Sequence, residues 1–299
     1  MRARACLVLG AMLRTARALT TPTRAASAAP SAAPAAFLRT REGIPDGLCA
    51  VYKPPDWTSA NVVAKVRATL EKAIKIPGQK KTKVKVGHGG TLDPAARGVL
   101  VLGVGKGCRQ LEAYLAGGKE YRAVAKLGEA TDTLDGEGEV TETAAWDHVT
   151  PATLEAALPD FTGEIWQVPP MYSALRRNGT RLYELARSGI EVERERRQVR
   201  VPRLALDDAG VGDHPGPLAL PLFGLDLECS GGTYVRTLID DLARHEGVGT
   251  VAHMVELERT RQGPFALGDC LDSEQWADFD AVCQHVVDSS GIVGDDADG

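Results

Sequence analysis

Apolar and polar positions along the chain alternate between short strands and short helices. Gly47-Leu48-Cys49-Ala50-Val51-Tyr52 is a compact apolar run, ended by Lys53-Pro54-Pro55-Asp56, and it predicts a strand. Thr58 and Ser59 are cap residues for a helix whose apolar side carries Val62, Val63, Val66 and Leu70. The run over 99–104 predicts a buried strand. Gly105-Lys106-Gly107 turns it into a helix around 108–116. The alternation in Lys119–Gly128 predicts a further strand closed by glycine. Thr150-Pro151 opens a helix through about Leu158, 161–167 returns as a strand, and a helix follows around 180–188 with Tyr183, Leu185 and Ala186 expected in the core. Residues 207–217 read as a surface loop without evident chemistry. Leu225, Leu227 and Cys229 then alternate with acids, and Gly231-Gly232 opens a strand-to-helix passage in which Arg236 sits among apolar neighbours.

Composition narrows the class. The chain has 299 residues, 43% apolar and 25% charged, which suits a soluble protein with a real core. No apolar run approaches the ~20 residues that span a bilayer. Six cysteines, at 6, 49, 108, 229, 270 and 283, are scattered without a C-x-x-C pair, which argues against structural zinc or a disulfide framework. No P-loop and no dinucleotide fingerprint is present, so no nucleotide, metal or other cofactor is implied.

Charge is unevenly placed. Residues 1–41 hold seven arginines and no acid, with Ala, Ser, Thr and Pro supplying most of the rest. That is the composition of an organellar transit peptide, with the mitochondrion preferred and a plastid as the alternative. If the leader is only a tail, the nucleus or cytoplasm follows. The chain's net charge is −5, so residues 42–299 sit near −12 (−5 − 7). Two basic stretches stand out against that background. One, from Lys72 to Lys85, enters the loop at Gly87; the other runs from Arg176 to Arg203. Such local patches suit phosphate contacts.

The stretch with most chemistry is Gly87-His88-Gly89-Gly90-Thr91-Leu92-Asp93-Pro94-Ala95-Ala96-Arg97-Gly98. Its glycines allow positive φ and close approach by another molecule. Pro94 fixes φ directly after the single carboxylate, Asp93. The result is a tight loop that presents one acid from the edge of a rigid strand.

This stretch resembles the catalytic motif of the TruB family of pseudouridine synthases, and more narrowly its eukaryotic stand-alone branch. The resemblance covers roughly 46–267. It is carried further by Lys53-Pro54, by Lys119–Gly128, by the turn Thr131-Asp132-Thr133-Leu134-Asp135-Gly136, by Val168–Leu175 and by Ser230–Leu242. It implies an α+β pseudouridine-synthase fold with a mixed, mostly antiparallel central sheet flanked by helices. It also implies three regions: a leader over 1–41, a catalytic domain over 42–270, and a short helix with an acidic tail over 271–299. That tail leaves no room for the RNA-binding PUA domain of bacterial relatives.

By the same resemblance Asp93 is the nucleophile, Arg236 its ion-pair partner and Tyr121 the platform for the target base. His88 holds the loop open, Tyr172 supports the pocket, Tyr234 and Leu257 line it, and Lys53 packs beside the loop. The acids of 131–136 are read as structural, and His253 as a core-edge residue. The expected activity is isomerisation of the T-loop uridine of tRNA (position 55), with mRNA hairpins as further substrates and a monomeric enzyme. Two rivals are a synthase acting mainly on other RNAs and a non-catalytic tRNA-binding or tRNA-folding module. A guide-RNA-directed relative would need a PUA domain and a Lys-rich tail.

Overall fold

The computed structural model describes residues 43–74 and 83–287. The proposed leader and the end of the acidic tail lie outside the described residues. The central sheet is built from β1 (Gly47–Lys53), β2 (Val86–His88), β3 (Arg97–Val104), β4 (Lys119–Leu127), β7 (Arg203–Leu206), β8 (Leu222–Cys229), β9 (Ala252–Gln262) and β10 (Phe265–Ala266). Between β4 and β7 in the chain, β5 (Gly163–Gln167) and β6 (Arg197–Val201) form a separate antiparallel ribbon. The sheet order is β1-β3-β9-β4-β8-β7, with β2 beside β3 and β10 beside β9. Every pairing is antiparallel except β3 with β9, so the sheet is mixed and mostly antiparallel as expected.

Period-2 alternation explains the continuous apolar runs. Cys49 and Val51 of β1, with Leu100 and Leu102 of β3, face a core shared with Val62, Val66 and Leu70 of helix α1 (Ser59–Ala73). Their neighbours Leu48, Ala50, Val99 and Val101 point the other way, onto Tyr114 of α2 (Leu111–Ala116). Both faces of these strands are therefore covered, which the uninterrupted hydrophobicity requires. Thr58 caps α1 by accepting from the amide of Asn61 at 3.0 Å. A larger core lies under β4, β8 and β9. There Leu225 and Leu227 meet Leu154 of α3 (Pro151–Ala157) and Leu238, Ile239 and Leu242 of α5 (Val235–Arg244). Fully burying each such side chain contributes about 1.5–3 kcal/mol.

The segment after residue 270 is packed into the first of these cores. Leu271, Trp276, Val282 and Val286 are buried there, and the short helix is α6 (Phe279–His285). Leu48 and Val287 exchange both backbone hydrogen bonds, at 3.0 and 2.8 Å.

Residues 207–217 have more to do than a plain surface loop. Gly210–Val211 pairs with His214–Pro215, and the Asp213 amide donates to Glu256 Oε1 at 3.4 Å. A Cβ on Gly212 would stand 2.4 Å from the Arg97 guanidinium. The hairpin thus lies over the Arg97–Glu256 ion pair (2.7 Å) and braces the strand that follows the Asp93 loop. Sequence reading missed this because its partners lie more than 40 residues away in the chain.

Candidate active site

The Asp93 loop connects β2 to β3 and is fixed from behind by buried donors that reach its carbonyls. Lys53, with no exposed surface, donates from Nζ to the carbonyls of Pro54 (2.9 Å), Trp57 (2.5 Å) and Pro94 (2.8 Å). Gln262 Nε2 donates to Gly89 O at 2.7 Å, and Arg259 donates to Val99 O (2.6 Å) and Gly90 O (3.2 Å). Ser59 Oγ accepts from the Leu92 amide at 2.9 Å and donates to the Leu92 carbonyl at 3.2 Å. Each unmet buried carbonyl would cost about 1–3 kcal/mol, so this set of contacts selects one loop conformation. Burial draws the Lys53 ammonium down to about 8.

Only part of the glycine reading survives. Gly90 (φ +151°) and Gly98 (φ +106°) do use the glycine-only region. Gly87 and Gly89 have ordinary φ, and at Gly89 the need is for space, since a Cβ would stand 2.8 Å from Tyr114 Cβ. At Gly98 a Cβ would lie 2.2 Å from the Arg259 carbonyl, where β3 and β9 approach.

Arg236, in the first turn of α5 and 4% exposed, gathers three segments. Its Nε lies 3.0 Å from Asp93 Oδ2. Its two terminal nitrogens donate to Thr133 O (2.7 Å) and Tyr172 O (2.8 Å), and one stands 3.6 Å from Asp135 Oδ2. The planar guanidinium can serve these directions at once, which an ammonium cannot. Helix α5 is itself anchored at its start. Gln167, the last residue of β5, accepts from the Tyr234 amide (3.1 Å) and donates to the Tyr234 carbonyl (3.3 Å).

Around this pair lies a cavity of about 490 Å³, of a size to hold a nucleoside-sized ligand. Asp93, Arg236, His88 and Tyr172 line it. The Asp93 side chain is 37% exposed and so is reachable. Burial and the Arg259 charge push the His88 pKa down, which keeps its ring neutral near pH 7. The Tyr172 hydroxyl donates to Asp132 at 3.2 Å. Tyr121 and Leu257, expected at the pocket, lie in the buried core with Leu92 and are not among the residues that line the cavity; Tyr121 is only 7% exposed. Tyr121 pairs across strands with Leu227 and Arg259. Burial raises its phenol pKa, and the Arg259 charge opposes that rise. Tyr234, half-buried, forms the junction into α5, and Lys53 acts from beneath the loop.

Several cavity residues were not singled out by sequence. Asp135 and Glu137 line it together with Arg181, Tyr183 and Arg187. Asp135 does serve the turn, since its Oδ1 accepts from Thr133 Oγ1 (2.5 Å) and the Glu137 amide (3.1 Å), but its other oxygen faces Arg236. Asx chemistry in Thr131–Gly136 accounts for the first role and hides the second. Tyr183 was expected in the core. In α4 (Leu182–Arg187) it is Leu182 that is buried, while Tyr183 faces the cavity between the guanidinium groups of Arg181 (5.7 Å) and Arg187 (5.4 Å). His253 is a core-edge residue, with Nδ1 2.9 Å from Glu129 O. Among the described residues no group of three or more His, Cys, Asp or Glu side chains is arranged to hold a metal ion, and no helix is long and apolar enough to cross a membrane.

A chain in the crystal structure of a Cbf5–Nop10–Gar1 complex has the same architecture, with a TM-score of 0.53 and 27% identity over 77% of this chain and 53% of that one. A chain in the structure of an H/ACA RNP bound to a substrate RNA containing 2′-deoxyuridine shares the fold at a TM-score of 0.52 and 23% identity, over 81% of this chain and 59% of that one. The fold, with an arginine-held carboxylate in a nucleoside-sized cavity, is that of the pseudouridine synthases. The profile of TruB family pseudouridylate synthase (N terminal domain) matches residues 78–235. Pseudouridylate synthase TRUB1 of Homo sapiens is 40% identical over 253 residues, which is 82% of this chain and 69% of that protein. The tRNA pseudouridine synthase B of Symbiobacterium thermophilum is 48% identical over 233 residues, 78% of this chain and 71% of that protein. This chain belongs to the TruB family of pseudouridylate synthases.

Proposed function

We propose that this chain converts uridine to pseudouridine in the T-loop of tRNA, at position 55, with Asp93 as the nucleophile. The observation that carries the reading is the ion pair between Asp93 and the buried Arg236 at the mouth of the cavity. The isomerisation breaks the C1′–N1 bond, turns the base and forms C1′–C5. The C5 proton leaves and N1 gains one, so no oxidant or energy source is consumed. A carboxylate that forms a transient covalent adduct, at the ring or at C1′, is sufficient for this sequence. Arg236 gives that carboxylate a positive partner at 3.0 Å and fixes its position.

The uridine has to leave its stack, at a cost of a few kcal/mol. In this reading His88 and Tyr172 hold the cavity walls, and Tyr121, which is buried beneath and outside the cavity lining, meets the flipped base only if the core above it opens. Import into an organelle, the mitochondrion first, rests on the arginine-rich, acid-free composition of residues 1–41.

The test is purified protein with a T-arm hairpin transcript and chemical mapping of pseudouridine. Product confined to the T-loop uridine is expected. Tight binding without product would favour an RNA-binding or RNA-folding module, and product mainly on mRNA hairpins would move the substrate.

A further inference from the structure

The donors that hold the Asp93 loop act on its first part. Gln262 and Arg259 serve Gly89 and Gly90, and Ser59 serves Leu92. Lys53 and the Asp56 amide both donate to Pro94 O, at 2.8 and 3.0 Å. None of these hydrogen bonds involves residues 95–97. There the Ala96 amide donates to Asp93 O at 3.1 Å, and the tight turn so closed runs directly into Arg97, the first residue of β3. The backbone of Asp93 therefore follows the position of Arg97.

Arg97 is fixed from the opposite face of the sheet. Lys53, Gly98 and Arg259 lie side by side on β1, β3 and β9, and their chain neighbours Tyr52, Arg97 and Glu258 point the other way. On that other face the Arg97 guanidinium meets Glu256 at 2.7 Å, and the Glu256 side chain is only 9% exposed. Among the described residues Glu256 is the only carboxylate in ion-pair contact with Arg97, whose Nε is buried without a hydrogen bond. The other oxygen of Glu256 accepts from the Asp213 amide at 3.4 Å and lies 3.5 Å from His214 Nδ1. Gly212, at φ +56°, brings the hairpin backbone against the guanidinium with no room for a side chain. Neither charge can leave the other without being stranded in a poorly solvated place, so the pair fixes where β3 begins.

We propose that Glu256 is a positioning residue for the catalytic carboxylate: clamped under the 207–217 hairpin, it holds Arg97 and, through the Asp93–Ala96 turn, sets where Asp93 stands against the bound uridine. The inference rests on the reading of Asp93 as the nucleophile. It gives the hairpin, which lies outside the cavity lining, a share in the rate. A brace that added stability alone would leave the reaction untouched once the protein is folded, whereas a positioning contact does not.

The experiment compares full-length Glu256→Gln with wild type on a T-arm transcript. Single-turnover pseudouridine formation, RNA Kd and Tm are measured on the same preparations. Glutamine keeps an acceptor for the Asp213 amide but leaves Arg97 without its charge partner. The rate at saturating RNA is expected to fall by about ten-fold or more, with Kd within two-fold. The double variant Arg97→Met/Glu256→Gln removes the stranded charge, so its Tm returns towards wild type while its rate stays low. Gly212→Ala acts from the exposed hairpin, without touching the buried pair's chemistry, and serves where a variant of the pair fails to fold. Its Cβ would stand 2.4 Å from the guanidinium, and the rate should fall about three-fold with Kd unchanged. Asp226→Asn is the control. It breaks a 2.7 Å pair with Arg203 on the same sheet face, away from the loop, and keeps the wild-type rate.

A Glu256→Gln rate within two-fold of wild type would overturn the inference and leave the proposed function standing. So would a rate that recovers together with Tm in the double variant, or a loss carried entirely by Kd. Wild-type protein that forms no pseudouridine on any RNA would overturn the proposed function and this inference with it.

Discussion

Replacing Arg236 tests whether the site is assembled by one guanidinium or merely surrounds it. Arg236→Lys keeps the charge but cannot reach Asp93, Thr133 O and Tyr172 O together, which Arg236 contacts at 3.0, 2.7 and 2.8 Å. If the ammonium stays with Asp93, two charge-assisted hydrogen bonds are lost. At about 1.5 kcal/mol each, the low end for such bonds, the destabilisation is about 3 kcal/mol. Arg236→Met removes the charge as well and leaves Asp135 facing no cation. Breaking a buried pair costs about 3–5 kcal/mol, and the exposure of Asp93 places this one at the lower end. The consequence for rate is larger than for stability. A displacement of the nucleophile by about 1 Å costs roughly 100-fold, so Arg236→Lys should lose at least that factor in single-turnover pseudouridine formation. The assay pairs that rate, on a T-arm transcript, with urea unfolding and RNA binding. Wild-type rate in Arg236→Lys would refute the argument that the fork geometry positions Asp93. Loss of stability with an intact rate in Arg236→Met would make Arg236 a scaffold residue only.

Lys53→Met strips the donors from three carbonyls, including that of Pro94 next to Asp93. It should lower kcat at saturating RNA more than it weakens RNA binding, and equal losses in both would contradict the loop-holding role. Gly98→Ala meets both a positive φ and a carbonyl at 2.2 Å, so it should cost about 4 kcal/mol or more, read as a drop of roughly 10 °C in Tm. Gly118→Ala, with nothing within 4 Å, is the matched control and should melt close to wild type. Asp241 on α5 has its carboxyl raised to about 6 by burial and by neighbouring Asp240. The folded state therefore holds a proton there that the unfolded state releases, and wild-type stability from this group falls as pH rises from about 4 through 6. Asp241→Asn should raise stability by about 1 kcal/mol at pH 8, after allowance for solvent screening, and by nothing at pH 4. Equal effects at both pH values would contradict the assignment.

What was legible in the sequence follows from the range of the interactions involved. The strands and helices depend on local periodicity, and Val62, Val66 and Leu70 or Leu225 and Leu227 already point to their cores. The glycines, Asp93-Pro94 and the apolar strand mark a loop that presents one acid, and it is the family resemblance that makes Asp93 the nucleophile. The supporting residues have no local signature. Gln262 lies 173 positions from the carbonyl it holds at Gly89, and Arg259 lies 169 from Gly90. Both sit in the polar run Glu258–Gln262 at the end of β9, where no local pattern marks them as buried. Asp135 was visible but explained too cheaply by its turn. Tyr183 was misplaced because a six-residue helix is too short for its apolar face to be fixed by periodicity alone.

The central claim is that the Asp93 carboxylate itself carries the chemistry. Asp93→Asn keeps the size and one oxygen of the side chain, and it removes only the negative charge and the nucleophilicity. Single-turnover mapping of pseudouridine on the T-arm transcript, with binding measured in parallel, reads the two roles separately. The account predicts RNA binding near the wild-type level and no pseudouridine at any uridine. Pseudouridine at the T-loop position in the Asp93→Asn protein would contradict it.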